Sequence, residues 1–142
     1  MIATTQIFLA PIFVHFALTT YVGVRSMLAR IKSVMGRETK LADIALDSSH
    51  WPPDVKKLGN NFDNQFDVPT VWYALCGLIL ITAELDMAFV FLSWVFVISR
   101  VFHFWIHTGG NYVRYRMYAF LIGYVALSAM WVWFALRLYF AG

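Results

Sequence analysis

Apolar residues form four long stretches along the chain, separated by segments that hold most of the polar and charged residues. The stretches cover residues 7–24, 68–83, 87–99 and 117–136. Backbone polar groups cannot stay unpaired in lipid, so each run predicts a transmembrane helix. None shows the in–out alternation of a barrel strand. The pattern predicts an all-α bundle of four transmembrane helices. Their approximate bounds are 5–33, 60–83, 86–108 and 112–140.

The second and third runs are too short on their own, because about 20 residues are needed to cross a bilayer. Polar residues must therefore complete each of these helices at one end. The connection around Glu84 and Asp86 is only a few residues long. Helices two and three are thus expected to form an antiparallel hairpin.

Composition excludes a soluble monomer and a disordered chain. Hydrophobic residues make up 61% of the chain and charged residues 13%, whereas soluble domains carry about 25% charged residues. Cys76 is the sole cysteine, so no intrachain disulfide and no cysteine-based metal motif is expected. We predict no metal site and no nucleic-acid partner, and a lipid bilayer as the surroundings.

Basic residues predict the orientation. Seven lie between the first and second apolar runs, three lie between the third and fourth runs, and none precedes the first run. The positive-inside rule places the first and third connections in the cytoplasm and both termini on the other side. Arg137 is the one basic residue at that opposite end, where we expect an interfacial anchor. Without a basic segment at the start, no cleaved signal peptide is expected.

Ionisable residues inside the predicted helices are the candidates for function, since such residues are costly in lipid. Arg100 lies roughly 20 Å along the third helix, and His103 and His107 follow on the same face. On a continuous second helix, Asn64 and Asp67 would also share a face. Snorkelling of Arg100 to the cytoplasmic surface is the alternative interpretation.

Polar residues from all four helices are expected at one membrane depth, where cations outnumber acids. They are Arg25, Asn64, Asp67, Arg100, His103 and Arg116, with His107 nearby. Arginine forks bind carboxylates, so the set suits a small anion with several carboxylates and an amine. We expect Arg100 and Asp67 to form one polar cluster, paired directly or through a ligand. The sequence leaves open whether Arg114 or Arg116 faces this site.

Two motifs now show a family resemblance. Asn64-Gln65-Phe66-Asp67-Val68-Pro69 and Arg100-x-x-His103-x-x-x-His107, followed by Asn111 and Arg116, resemble the MAPEG family of membrane-associated proteins in eicosanoid and glutathione metabolism, in its bacterial branch. The resemblance covers nearly the whole chain as one domain, 1–142. It implies a homotrimer in the bacterial inner membrane, with glutathione bound between subunits at the cytoplasmic side.

The same resemblance implies an activity, attack by a glutathione thiolate on a lipophilic electrophile or reduction of a lipid hydroperoxide. Glutathione would be the cosubstrate, and Arg116 would stabilise its thiolate. The implied glutathione-binding residues are Arg25, Asn64, Asp67, Arg100, His103, His107 and Arg116.

Two alternatives stay open. The first is a nonenzymatic scaffold or accessory subunit with the same fold. It is favoured by Asp67 where the family usually has Glu, by His107 where the eicosanoid enzymes often have Tyr, and by Lys56 and Lys57 in place of arginines. The second is a haem-carrying anchor, but two histidines four residues apart point the same way and cannot be trans ligands of one haem.

Overall fold

The computed structural model describes residues 2–140, in which every regular element is a helix and there is no strand. Six α-helices follow one another, with a short 3-10 helix at Ser48–His50 between the second and third. They are α1 (Ile2–Met35), α2 (Leu41–Ile44), α3 (Pro53–Asp63), α4 (Val68–Ile81), α5 (Met87–Thr108) and α6 (Val113–Phe140). The predicted all-α class is confirmed.

Three helices, α1, α5 and α6, are long and apolar enough to cross a membrane. The second predicted helix, 60–83, is divided between α3 and α4, and the 14 residues of α4 cover only about 21 Å. A four-span topology therefore stays a prediction. Large apolar side chains such as Phe13, Trp105 and Tyr124 lie on the outside of the bundle, as lipid contact requires.

Contacts between distant segments define the two ends of the bundle. At one end, the Lys57 ammonium on α3 donates to the backbone carbonyl of Gly109, which follows α5 (3.3 Å). At the other end, Arg137 near the end of α6 pairs with Glu84 and Asp86 in the α4–α5 turn (3.0 Å each). Because these contacts lie at opposite ends, α3 and α4 together run the length of the bundle.

Arg137 differs from the expected interfacial anchor, since both acids of the short turn bind it. Asp86 also caps α5 by accepting from the backbone N–H groups of Ala88 and Phe89, and it accepts from the indole of Trp133 (2.9 Å). Arg137 is therefore one part of a polar clamp that fastens α6 to the α4–α5 turn.

The helix expected over 60–83 is interrupted at residues 64–67. Backbone N–H groups of Gln65 and Phe66 donate three residues back, to Phe62 and Asp63, which tightens the chain and ends α3. Pro69 then occupies the first turn of α4, where its missing N–H and fixed φ are tolerated. Pro69 thus helps to begin a new helix.

The core lies between α1, α4, α5 and α6, away from this interruption. Trp72 stacks on Phe96 with ring centroids 5.0 Å apart, and the Trp72 indole donates to Ser93. Cys76 is buried in the same cluster. This core fixes α4 against α5 and holds residues 64–67 beside the polar face of α5.

Candidate functional site

An open cavity of about 630 Å³ lies between α3, α5 and α6, at the end where Lys57 meets Gly109. Its volume is within the range of small-molecule sites, roughly 300–1,000 Å³. The lining residues are Asn60, Asp63, Asn64, His103, His107, Val113, Arg116, Met117 and Phe120. The sequence predicts this end of the bundle to be cytoplasmic.

The structure resolves which of two neighbouring arginines faces the cavity. Arg116 lines it, and its Nη1 donates to the side-chain oxygen of Asn111 (2.9 Å). Asn111 has a φ of 49°, a left-handed conformation that Asn tolerates better than most residues. Arg114 is exposed and lies outside the lining. The turn before α6 therefore orients the Arg116 guanidinium.

Arg100 is enclosed in the bundle, with 2% of its surface exposed. Its Nη2 donates to the backbone carbonyl of Asn64 in the α3–α4 break (2.9 Å), and the guanidinium lies 6.0 Å from the ring centroid of Phe120. Snorkelling is thus not what the side chain does here. Arg100 lies behind the cavity wall and contacts it through Asn64 and Phe120.

Arg25 and Asp67 lie apart from the cavity of the single chain. Both are exposed, and Arg25 is placed over the ring of Tyr21, 5.8 Å from its centroid. Among residues 2–140, no ion pair within 4 Å joins Asp67 to Arg100. Direct pairing, one of the two expected arrangements, is absent because the helix break exposes Asp67 and offers Arg100 a carbonyl. Pairing through a ligand stays a prediction. Of the seven predicted ligand-binding residues, the cavity gathers four.

Each histidine of the cavity is held through Nδ1. The His103 Nδ1 is 3.2 Å from the backbone oxygen of Arg116, and the His107 Nδ1 is 3.0 Å from the amide nitrogen of Asn61. Gln65 donates in turn to Asn61. Sequence reasoning missed the role of Asn61, although its four-residue spacing from Gln65 could have indicated a helical pair.

The family assignment follows from a sequence comparison that covers most of the molecule. The MAPEG family model matches residues 8–136. The chain belongs to the MAPEG family. No curated protein and no solved structure matches it. The protein is therefore an integral membrane protein of the family of eicosanoid and glutathione metabolism.

The MAPEG motifs meet at one place in this fold. Asn64 from the α3–α4 break, His103 and His107 from α5, and Arg116 from α6 face the same cavity. Their convergence depends on the break, because Asn64 lies in it and its carbonyl binds Arg100. Polar side chains from two helices and from the break between two others therefore line one cavity.

The histidines do not bracket a common centre. His103 and His107 lie on one helix, with ring centroids 5.7 Å apart, whereas His15 binds the Tyr73 hydroxyl through Nδ1 (2.8 Å). Within the described residues, 2–140, no group of three or more His, Cys, Asp or Glu is placed to hold a metal ion. The arrangement gives the haem interpretation no support.

Proposed function

We propose that this MAPEG protein is a glutathione-dependent transferase or peroxidase that acts on lipophilic electrophiles or lipid hydroperoxides. The observation that carries the proposal is the 630 Å³ cavity in which Arg116, His103 and His107 converge. Glutathione is an anion with two carboxylates, and arginine and imidazole N–H groups are suitable donors for them. A lipophilic second substrate would reach the thiol from the surrounding bilayer.

Arg116 is the proposed catalytic residue. A cation beside a thiol favours the thiolate, which is the nucleophilic form. Asn111 holds the guanidinium through Nη1, so the other N–H groups of Arg116 are available to the sulfur or a carboxylate. The thiolate sulfur then bonds to an electrophilic carbon, and the electron pair of the broken bond leaves with the displaced group.

The active assembly is proposed to be a homotrimer in a bacterial inner membrane, with both termini non-cytoplasmic. Arg25 and Asp67 support this assembly, because both are exposed on a single chain and are then available to the site of a neighbouring subunit.

The uneven distribution of Lys and Arg supports the orientation. Reporter fusions at the C-terminus and within residues 37–57 test it, and a cytoplasmic C-terminal reporter would contradict it.

Glutathione binding to the detergent-solubilised protein tests the function directly. At 100 times its dissociation constant, a ligand stabilises the folded state by about 2.7 kcal/mol, so the unfolding temperature should rise. Arg116→Ala should abolish this rise. Arg114→Ala is the matched control, because Arg114 is a neighbouring arginine that lies outside the cavity, and it should keep the rise. Equal responses from the two variants would contradict the proposed role of Arg116.

One structural observation adds to the sequence departures that favour the scaffold alternative, namely that Arg25 and Asp67 do not line the cavity of the single chain. If no subunit boundary completes the site, the MAPEG fold would be kept without glutathione binding. An intact trimer whose unfolding temperature does not respond to glutathione would favour this alternative over the enzyme.

A further inference from the structure

The hydrogen bonds behind the cavity determine which nitrogen of His107 carries the proton. These hydrogen bonds link Gln65, Asn61 and His107. The backbone carbonyl of Asn61 can only accept a hydrogen bond. Gln65 contacts this oxygen at 3.2 Å, so the contacting atom must be the Gln65 amide nitrogen. The orientation of the Gln65 amide is thereby fixed, although oxygen and nitrogen of an amide are otherwise hard to distinguish.

The orientation of Asn61 follows from that of Gln65. The same Gln65 nitrogen also contacts the Asn61 side chain at 3.3 Å, and the atom that it contacts must be the acceptor, Oδ1. The Asn61 Nδ2 then faces the Nδ1 of His107 at 3.0 Å. Since Nδ2 is a donor, Nδ1 of His107 accepts, and the proton of the neutral ring is on Nε2.

The opposite assignment holds for His103. Its Nδ1 lies 3.2 Å from the backbone oxygen of Arg116, which can only accept, so Nδ1 carries the proton. The two histidines of one helix face are thus held as different tautomers. His103 offers a lone pair at Nε2, whereas His107 offers an N–H group there.

The Nε2 of His107 is the nitrogen that a ligand can reach. It has no hydrogen-bond partner within residues 2–140, and it is not among the enclosed polar atoms of this region, whereas Nε2 of His103 is enclosed. His107 lines the cavity together with Arg116. A ligand in the cavity can therefore contact both Nε2 of His107 and the guanidinium of Arg116.

We propose that Asn61 and Gln65 are positioning residues that hold His107 as the Nε2–H tautomer, so that it donates a hydrogen bond to an anionic group in the cavity. The identity of that group rests on the proposed function, in which it is the thiolate or a carboxylate of glutathione. Neither Asn61 nor Gln65 lines this cavity, so both act through His107.

The tautomers can be read from two-bond proton–nitrogen NMR spectra of the protein with ¹⁵N-labelled histidine. Signals are assigned by their loss in His103→Gln and His107→Gln. We expect the Nε2–H pattern for His107 and the Nδ1–H pattern for His103 in the same spectrum. An Nδ1–H pattern for His107 would overturn the proposal, whether or not glutathione binds.

Substitutions test whether Asn61 and Gln65 are the cause. Asn61→Leu should leave His107 as a mixture of tautomers, because Nδ1 then lacks its donor. Asn60→Leu is the matched control at the neighbouring exposed amide, and it should leave the pure Nε2–H pattern. Gln65→Met provides a second route if Asn61→Leu does not fold, since it frees the Asn61 amide to rotate. An unchanged pure Nε2–H pattern in whichever variant folds would overturn the proposed cause.

Glutathione affinity tests the consequence for ligand binding. The carboxamide nitrogen of His107→Gln lies about where Nε2 does, while that of His107→Asn falls short. A hydrogen bond to a charged group corresponds to about tenfold or more in affinity, so Asn should weaken binding by that factor and Gln by about threefold or less. Equal affinities would overturn the donor role. If wild-type protein does not bind glutathione, the proposed function fails, and the NMR result still decides the tautomer.

Discussion

Arg100 shows how far a single residue can be interpreted from sequence. Its position in an apolar run, with His103 on the same face, indicated a lined polar site, and the structure places both side chains inside the bundle. The partner could not be deduced, because Asn64 offers Arg100 a backbone carbonyl. Every residue except proline carries the same donor and acceptor on its backbone, so residue types give no signal for such a contact.

Arg100→Ala should lower the free energy of unfolding. The part-buried Asn64 carbonyl would lose its donor, which costs on the order of 1–3 kcal/mol. Arg114→Ala should change stability by no more than about 0.5 kcal/mol, because Arg114 is exposed. Thermal unfolding in the same detergent compares them, and equal stabilities would show that Arg100 contributes nothing through this contact. Arg137 would be a poor control because of its two ion pairs.

Ala83 carries backbone strain that a glycine would relieve. Its φ is 59°, and the next residue, Glu84, donates back to the carbonyl of Ile79 in the manner of a helix cap that prefers glycine. Ala83→Gly should therefore stabilise the protein by about 1 kcal/mol. Ala74→Gly, the same change inside α4, should destabilise it by up to about 1 kcal/mol. Changes of the same sign in thermal unfolding would contradict the assignment.

At the scale of elements, hydrophobic pattern located the apolar helices better than it located the interruption. Pro69 is compatible with a kink and with a new helix, and the polar residues before it suit either. A tertiary contact decides between the two. The backbone N–H groups of Gln65 and Phe66 donate to carbonyls three residues back, at the same place where Arg100 binds the carbonyl of Asn64. The cavity depends on this break. The sequence could therefore predict which residue types form the site, but it could not predict their arrangement in space.

The close approach of α5 and α6 depends on Gly123. A Cβ at this position would collide with the hydroxyl of Ser99, and small residues commonly allow such contacts between membrane helices. Gly123→Ala should destabilise the protein by about 1–3 kcal/mol through overpacking. Ser99→Ala in the same chain should recover most of this loss, because the Ser99 Cβ is at an ordinary distance of 3.5 Å. A double-mutant cycle without coupling would contradict the contact.

At the scale of the whole molecule, the sequence indicated which ends of the helices lie together, and the structure separates the site residues into two groups. Asn64, His103, His107 and Arg116 line one cavity, while Arg25 and Asp67 are exposed elsewhere. A pattern within one chain does not say which copy of the chain supplies a residue. The proposed homotrimer provides a way for the second group to complete the site of a neighbour.

Mixed trimers test this assembly. Arg25→Ala and Arg116→Ala homotrimers should both fail to bind glutathione, because every site lacks one arginine. If the two arginines of a site come from different subunits, a ring that mixes both variants contains one boundary at which both are wild type, so about one site per mixed trimer should recover.

Co-expression with two different tags isolates such rings, native mass spectrometry confirms their composition, and calorimetry counts the sites. Arg114→Ala in place of Arg116→Ala is the control, since its own homotrimers should bind fully. Absence of recovery in verified mixed trimers would place both arginines in the site of one subunit. If the protein is found only as a monomer in mild detergent, there is no subunit boundary at which Arg25 and Asp67 could contribute to a neighbour's site, and the proposed assembly is contradicted.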